Sequence, residues 1–170
     1  MTGLKTIQKI DKLLKADLKK ELRDQGHHLT GALEASIKSN INESADVVLQ
    51  VEAKDYIDPL NTGVLASNIP YDPFVRTGAG HSKYIEGLKQ FAKLRFGLSD
   101  KEALGAAFAI AKKHKAEGMP TSGSFAFSNT GKRTEVMEQT YARQDYDSLI
   151  ENGVSEEIDN LFAYPDLTVF

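Results

Sequence analysis

Leu4, Ile7, Ile10, Leu13, Leu14, Leu18 and Leu22 recur at three- and four-residue spacing, with Lys and Asp filling the opposite face as far as Asp24. The period is that of an α-helix, and it predicts one that runs to Asp24 and stops at Gly26. A helix of about 20 residues is ~30 Å long. Because its apolar stripe is one-sided, it has to lie against a sheet or a neighbouring chain, and the rest of the fold must supply that surface.

A chain of 170 residues suits a single domain with one core. Hydrophobic residues make up 41% and charged residues 26%, the ordinary globular balance. No apolar run approaches the ~20 residues needed to span a bilayer, and the Lys-bearing start of the chain leads into the amphipathic helix instead of a signal-peptide stretch. The protein is therefore expected to stay in the compartment where it is made. The absence of cysteine excludes disulfides, thiolate nucleophiles and cysteine-based zinc sites, and fits a reducing cytoplasm. With 21 basic and 24 acidic residues interspersed, the net charge of -3 gives no global field for nucleic acid.

After His27 and His28 the apolar period changes to two. Leu33, Ala35, Ile37, Ser39 and Ile41 alternate with polar residues, as do Val47, Leu49, Val51 and Ala53, which predicts a β-hairpin closed by the polar segment from Asn42 to Asp46. Ala32 to Ala35 has the propensity to begin the first run as a helical turn. From Asp58 to Gly80 the prolines 59, 70 and 73 and the glycines 63, 78 and 80 predict a long irregular loop. Two helices follow. The first runs from Tyr84 to Phe96 and ends at Gly97; the second is capped by a Ser99-x-x-Glu102 box and has a small-residue run from Ala103 to Ala111 that allows close packing. Gly118 to Ser124 stops it. A short strand with a turn at Asn129, Thr130 and Gly131 is expected over 125–133, then a last helix over 134–162 broken near Gly153, then an apolar tail that can add a strand to its own or a neighbour's sheet edge. The fold class is thus α+β: a small antiparallel sheet with a β-hairpin packed against several helices, and a long N-terminal amphipathic helix. Residues 1–170 form one domain, divided into the helix at 1–25, a core at 30–123 and a C-terminal strand, helix and tail at 124–170.

The motifs that carry chemistry are weak. Gly78, Gly80 and Lys83 resemble a phosphate loop, but Ser82 stands directly before the lysine, where a P-loop needs glycine, and no buried strand leads in. His27, His28, His81 and His114 lack a His-Glu-x-x-His spacing, and an adjacent pair points two ways, so surface or hinge histidine is the plainer reading. Asp55 and Asp58 read as turn carboxylates before they read as an acid/base pair. Ser36 and Ser124 have no histidine at a diagnostic spacing for a hydrolase triad. Lys112, Lys113, His114 and Lys115 form the strongest basic cluster, at the end of a helix whose exposed carbonyls favour cations; a DNA- or partner-facing patch is the alternative. No catalytic, metal or cofactor residue is assigned.

One segment carries a resemblance. Thr30-Gly31-Ala32-Leu33-Glu34-Ala35-Ser36-Ile37 resembles the Thr-Gly-x-Leu-x-x-Ser-Ile signature of bacteriophage tail-completion and head-to-tail joining proteins. In that family a strand follows, then a Tyr with a Glu-x-Gly element; here the strand over 47–53 is followed by Tyr56 and by Asn61-Thr62-Gly63, with Asn61 in the place of the glutamate. Ala107-Phe-Ala-Ile-Ala-Lys-Lys113 running on to Gly118 is similar to the family's Ala-Phe-x-Ile-Ala-Arg-Lys helix ending at Gly. The resemblance spans residues 30–123, and its motif positions Thr30, Gly31, Leu33, Ser36, Ile37, Tyr56 and Gly63 are turns and packing sites.

It implies a structural virion protein of the phage neck or tail that assembles as a ring between head connector and tail. Its partners would be further copies of itself and other neck or tail proteins, with DNA passing but not read and no membrane; its place would be the host cytoplasm during assembly and then the virion. A ring needs one surface to dock its complement on the next copy. Asp58, Tyr71, Phe74, Arg76, Lys112, Lys113, Lys115 and Phe170 are the candidate interaction residues, drawn from the 58–80 loop, the basic cluster and the tail. The loop and tail are expected to order on assembly. Two rival functions remain: a small nucleic-acid-binding module using Lys112 to Lys115, and an enzyme with a site on the 75–83 loop.

Overall fold

The structure, a computed structural model, describes residues 3–43, 47–72 and 82–163. It is mostly helical with one two-stranded antiparallel sheet, the α+β class expected. Helix α1 (Gly3–Asp24) is the long amphipathic helix. Its stop is enforced at Gly26, where φ is +74° and a Cβ would lie 2.0 Å from the Phe127 carbonyl oxygen. His27 N–H then returns to the Leu22 carbonyl at 2.7 Å, closing the helix end.

The hairpin is shorter than expected. Ala32–Ser36 is a helix, α2, which corrects the strand reading of 33–36 in favour of the helical turn. Gly31 adopts φ +71°, Ala35 N–H bonds the Gly31 carbonyl, and Leu33 and Ile37, four apart on one helical face, both enter the core. Strands β1 (Lys38–Glu43) and β2 (Val47–Glu52) pair in the register Lys38↔Glu52 and Ile41↔Leu49. Of the connecting polar segment, residues 44–46 lie outside the described residues.

The irregular loop read over 58–80 is corrected over its first part. Helix α3 (Ile57–Thr62) forms there, followed by a 3-10 turn over Ala66–Asn68. Pro59 falls in the first turn of α3, where a missing N–H costs no intrahelical bond, so proline marks a helix start and not a break. Residues 73–81 lie outside the described residues.

Helices α4 (Lys83–Phe96) and α5 (Asp100–Glu117) follow the sequence pattern closely, with Gly97 in the left-handed region at the turn and the Ser99/Glu102 capping box present. The expected strand over 125–133 is instead a 3-10 helix over Ser122–Phe127 and a loop. Thr121 and Ser124 cap each other there, a local bond pattern that competes with extended pairing. The last helix divides into α6 (Val136–Tyr141) and α7 (Tyr146–Phe162), and the break lies at 142–145 and not at Gly153. Gly153 is inside α7 for packing: a Cβ there would sit 2.2 Å from Thr6 Cγ2 of α1.

Two apolar clusters result. Leu18, Leu22, Leu33, Ile37, Ile57 and Val136 join α1, α2, α3 and α6. Ile85, Ala107 and Ala111 hold α4 on α5, with Tyr71, Tyr84, Leu88, Leu104 and Phe108 around them. The two lobes meet where Val64 and Met119 exchange backbone hydrogen bonds of 2.8 Å in both directions. That approach requires glycine on each side, since a Cβ on Gly63 would meet the Met119 carbonyl oxygen at 2.7 Å and one on Gly118 would meet that of Val64 at 2.6 Å.

Helix α7 runs antiparallel to α1. Arg143 pairs with Glu21 and Asp24, the Tyr146 hydroxyl bonds Asp17 at 2.7 Å, and the Thr6 hydroxyl bonds Glu157 at 3.2 Å. The far end of α7 therefore lies at the start of α1, and the junction of the lobes at its finish.

Candidate functional site

Between the lobes, at the C-terminal end of α1, lies a groove of about 490 Å³. Leu88, Phe91, Phe96 and Ile110 form the wall from α4 and α5; Met119, Pro120 and Phe127 form the floor from the segment after α5; Tyr56 and Leu60 close the side from α3. Its polar lining is cationic or neutral. Arg95 stacks over the Phe127 ring, 4.4 Å from guanidinium carbon to centroid. Arg133 donates from Nη1 to the Gln25 carbonyl, while its buried Nε has no partner. Burial, and then the charge of Arg95, lowers the pKa of Arg133. Among the described residues no Asp or Glu lines the groove, and among the described ion pairs neither arginine has a carboxylate partner.

The histidines here are structural. His27 Nε2 lies 3.2 Å from the Arg133 carbonyl, which fixes that nitrogen as the N–H donor; burial and the Arg133 charge bring its pKa down to about 4. His114 Nδ1 and the Tyr84 hydroxyl share a hydrogen bond of 2.7 Å; burial lowers the histidine and pushes the tyrosine up to about 12. The Ser124 hydroxyl is engaged with Thr121. In an adjoining pocket, burial would raise the Glu34 carboxyl, but hydrogen bonds from Arg23 at 2.8 Å and from His28 hold it below its ordinary value. Among the described residues no group of three or more His, Cys, Asp or Glu is placed to hold a metal ion. The arrangement suits an apolar body with an anionic substituent.

The motif positions are brought around this junction. The Thr30 hydroxyl accepts from Ala32 N–H at 3.3 Å, and Thr30 and Gly31 line the adjoining pocket. Leu33 and Ile37 are core, and the Ser36 hydroxyl links α2 to the end of the hairpin by donating to the Leu33 carbonyl and accepting from Lys54 N–H. Tyr56 lines the groove and Gly63 makes the lobe junction. Asn61 ties α3 to α6: its side-chain oxygen accepts from Met137 N–H at 2.8 Å.

The interaction candidates are scattered. Asp58 is exposed in the first turn of α3, and Tyr71 packs on Phe108. Lys113 pairs with Glu117, Lys115 donates to the Ile69 carbonyl, and Lys112 is exposed. Phe74, Arg76 and Phe170 lie outside the described residues, as does the 75–83 loop except Ser82 and Lys83, which cap and begin α4.

Sequence reasoning missed Arg95 and Arg133. One reads as a helix-end cation and the other as loop, and no local spacing links residues so far apart. It also missed a ridge on α7. Ile150, Val154, Ile158 and Phe162 follow one another at intervals of four, and their exposures of 40, 45, 47 and 83% leave the whole row uncovered. The neighbouring row, Leu149, Gly153 and Glu157, is the one turned to α1. No family model, curated protein or solved structure matches the chain.

Proposed function

We propose that the chain is a structural virion protein of the phage neck or tail, joining the head connector to the tail by forming a ring. The observation that carries the assembly reading is the α7 ridge: four large apolar side chains in register on one exposed helix face, next to a row that is already packed. A contiguous apolar stripe of that kind is the mark of a surface that docks on another polypeptide. The resemblance over 30–123 supplies the neck assignment, and its residues lie at the lobe junction and in turns, where they set shape instead of performing chemistry.

The ridge at one pole and the groove at the other are different surfaces. Association through unlike surfaces is head-to-tail, the arrangement that closes into rings. Cryo-microscopy of virion necks tests the assignment: a ring whose repeating unit contains the antiparallel α1–α7 pair and the α4–α5 hairpin is the expected result. Particles whose neck is complete without this chain would refute it. The nucleic-acid alternative is read in the same preparation, because binding of duplex DNA that falls steeply with salt would replace assembly as the function.

A further inference from the structure

The groove holds two cations that no carboxylate among the described residues neutralises. Arg95 and Arg133 face an apolar cavity with no carboxylate among its described lining residues, and Arg133 keeps one buried donor unused. Arg133 is half-buried and its Nε is a buried donor without a partner, a group that an incoming acceptor would satisfy. A bound partner should therefore combine apolar side chains with one negative charge, in a site whose size falls in the ~300–1,000 Å³ range of ligand pockets.

The chain contains such a segment. Residues 164–170, Tyr-Pro-Asp-Leu-Thr-Val-Phe, carry four large apolar side chains and one charged side chain, Asp166. They follow directly from α7, whose apolar ridge ends at the exposed Phe162. Geometry rules out the copy they belong to. Glu157 lies at Thr6, while Arg133 is bonded to Gln25 at the other end of α1. At 1.5 Å per helical residue, Phe162 and Arg133 are about 36 Å apart along the α1 axis. The four residues from Phe162 to Asp166 span at most ~14 Å when fully extended.

We propose that the groove receives residues 164–170 of a second copy, with the Asp166 carboxylate between the Arg95 and Arg133 guanidiniums and the apolar side chains against Leu88, Phe91 and Phe127. The segment leaves one pole of a chain and enters the opposite pole of the next, so each copy is donor and acceptor at once. This deepens the assembly reading and rests on it.

The test is a charge swap in the full-length chain, followed by sedimentation velocity, together with binding of a fluorescent peptide of residues 163–170 to dilute full-length chain. D166K and R95E should each weaken self-association by about ten-fold or more, and the double variant should recover most of it, as expected for a close charge pair across an interface. The peptide should bind the wild-type chain, and the same peptide carrying D166K should bind the R95E chain better than the wild-type chain. Circular dichroism melts confirm that the variants fold, and R95Q serves if R95E does not. Peptide binding indifferent to R95E, as for addition to the sheet edge, overturns the docking. So does a groove that takes decanoate but not the peptide. If wild type assembles and D166K and R95E assemble equally well, the docking falls and the assembly reading stands; a wild-type chain that stays monomeric at every concentration overturns both.

Discussion

The lobe built on α1 and the α4–α5 hairpin reach stability by opposite means. In the hairpin, Ala103, Ala107 and Ala111 are fully buried at intervals of four, so two helices joined by Gly97 to Ser99 approach closely using residues near in sequence. In the α1 lobe the apolar row is supplemented by buried polar groups that reach across the chain. Glu21 accepts from Gln25 Nε2 at 2.9 Å and from Arg143 Nε at 2.8 Å, and Gln25 donates onward to the Thr134 carbonyl at 3.0 Å. Glu21 and Gln25 are 3% and 0% exposed, so their partners, more than a hundred residues away, are structural requirements. The hairpin is fixed by shape, and the α1 lobe by where polar groups can be satisfied.

Removing a polar partner should therefore hurt the first lobe far more than the second. Arg143→Ala leaves Glu21 buried without its cation and should cost about 3 kcal/mol in urea unfolding, whereas Lys93→Ala, which removes an exposed partner of Asp100, should leave the unfolding midpoint almost where it was. Equal losses would mean that the long-range network is not what holds the C-terminal segment.

Glycine substitutions sharpen the contrast. Gly26→Ala puts a Cβ on the Phe127 carbonyl at positive φ and should lose about 2–3 kcal/mol, while Gly105→Ala, with open space around the new methyl, should gain up to ~1 kcal/mol. Thermal melts of the two variants should move in opposite directions. Overpacking is the way to break the hairpin. Ala111→Leu drives a large side chain into a fully buried position and should cost about 1–3 kcal/mol, visible as a lower denaturation midpoint.

Acid should act on the α1 lobe through His27. Its folded pKa of about 4 lies below the ordinary 6.5, so between those values the unfolded chain takes a proton that the folded chain refuses. The contribution is complete at pH 7 and is lost as pH falls through that window. His27→Gln should make the decline in stability between pH 7 and 4.5 shallower, and an unchanged slope would assign the acid sensitivity elsewhere.

The same contrast explains what can be read from sequence. The α4 and α5 boundaries, the capping box and the stop at Gly118 are legible because their causes lie within a few residues. Helix α1 is legible for the same reason. The break at 142–145 is not, because Gly153 looks like a helix breaker until Thr6 is seen against it. Helix α3 is hidden by Pro59, whose effect depends on its position within the first turn. The groove is illegible as a site: Tyr56 stands out by resemblance, but Arg95 and Arg133 meet only because Val64 pairs with Met119 and Gly26 receives Phe127.

Native mass spectrometry of the full-length chain over a range of concentrations tests the central claim most directly. The account predicts monomer giving way to a closed oligomer of one discrete size, with Val154→Glu and Ile158→Glu on the ridge holding the chain as monomer. A wild-type chain that remains monomeric throughout, or ridge variants that assemble as wild type does, would contradict it.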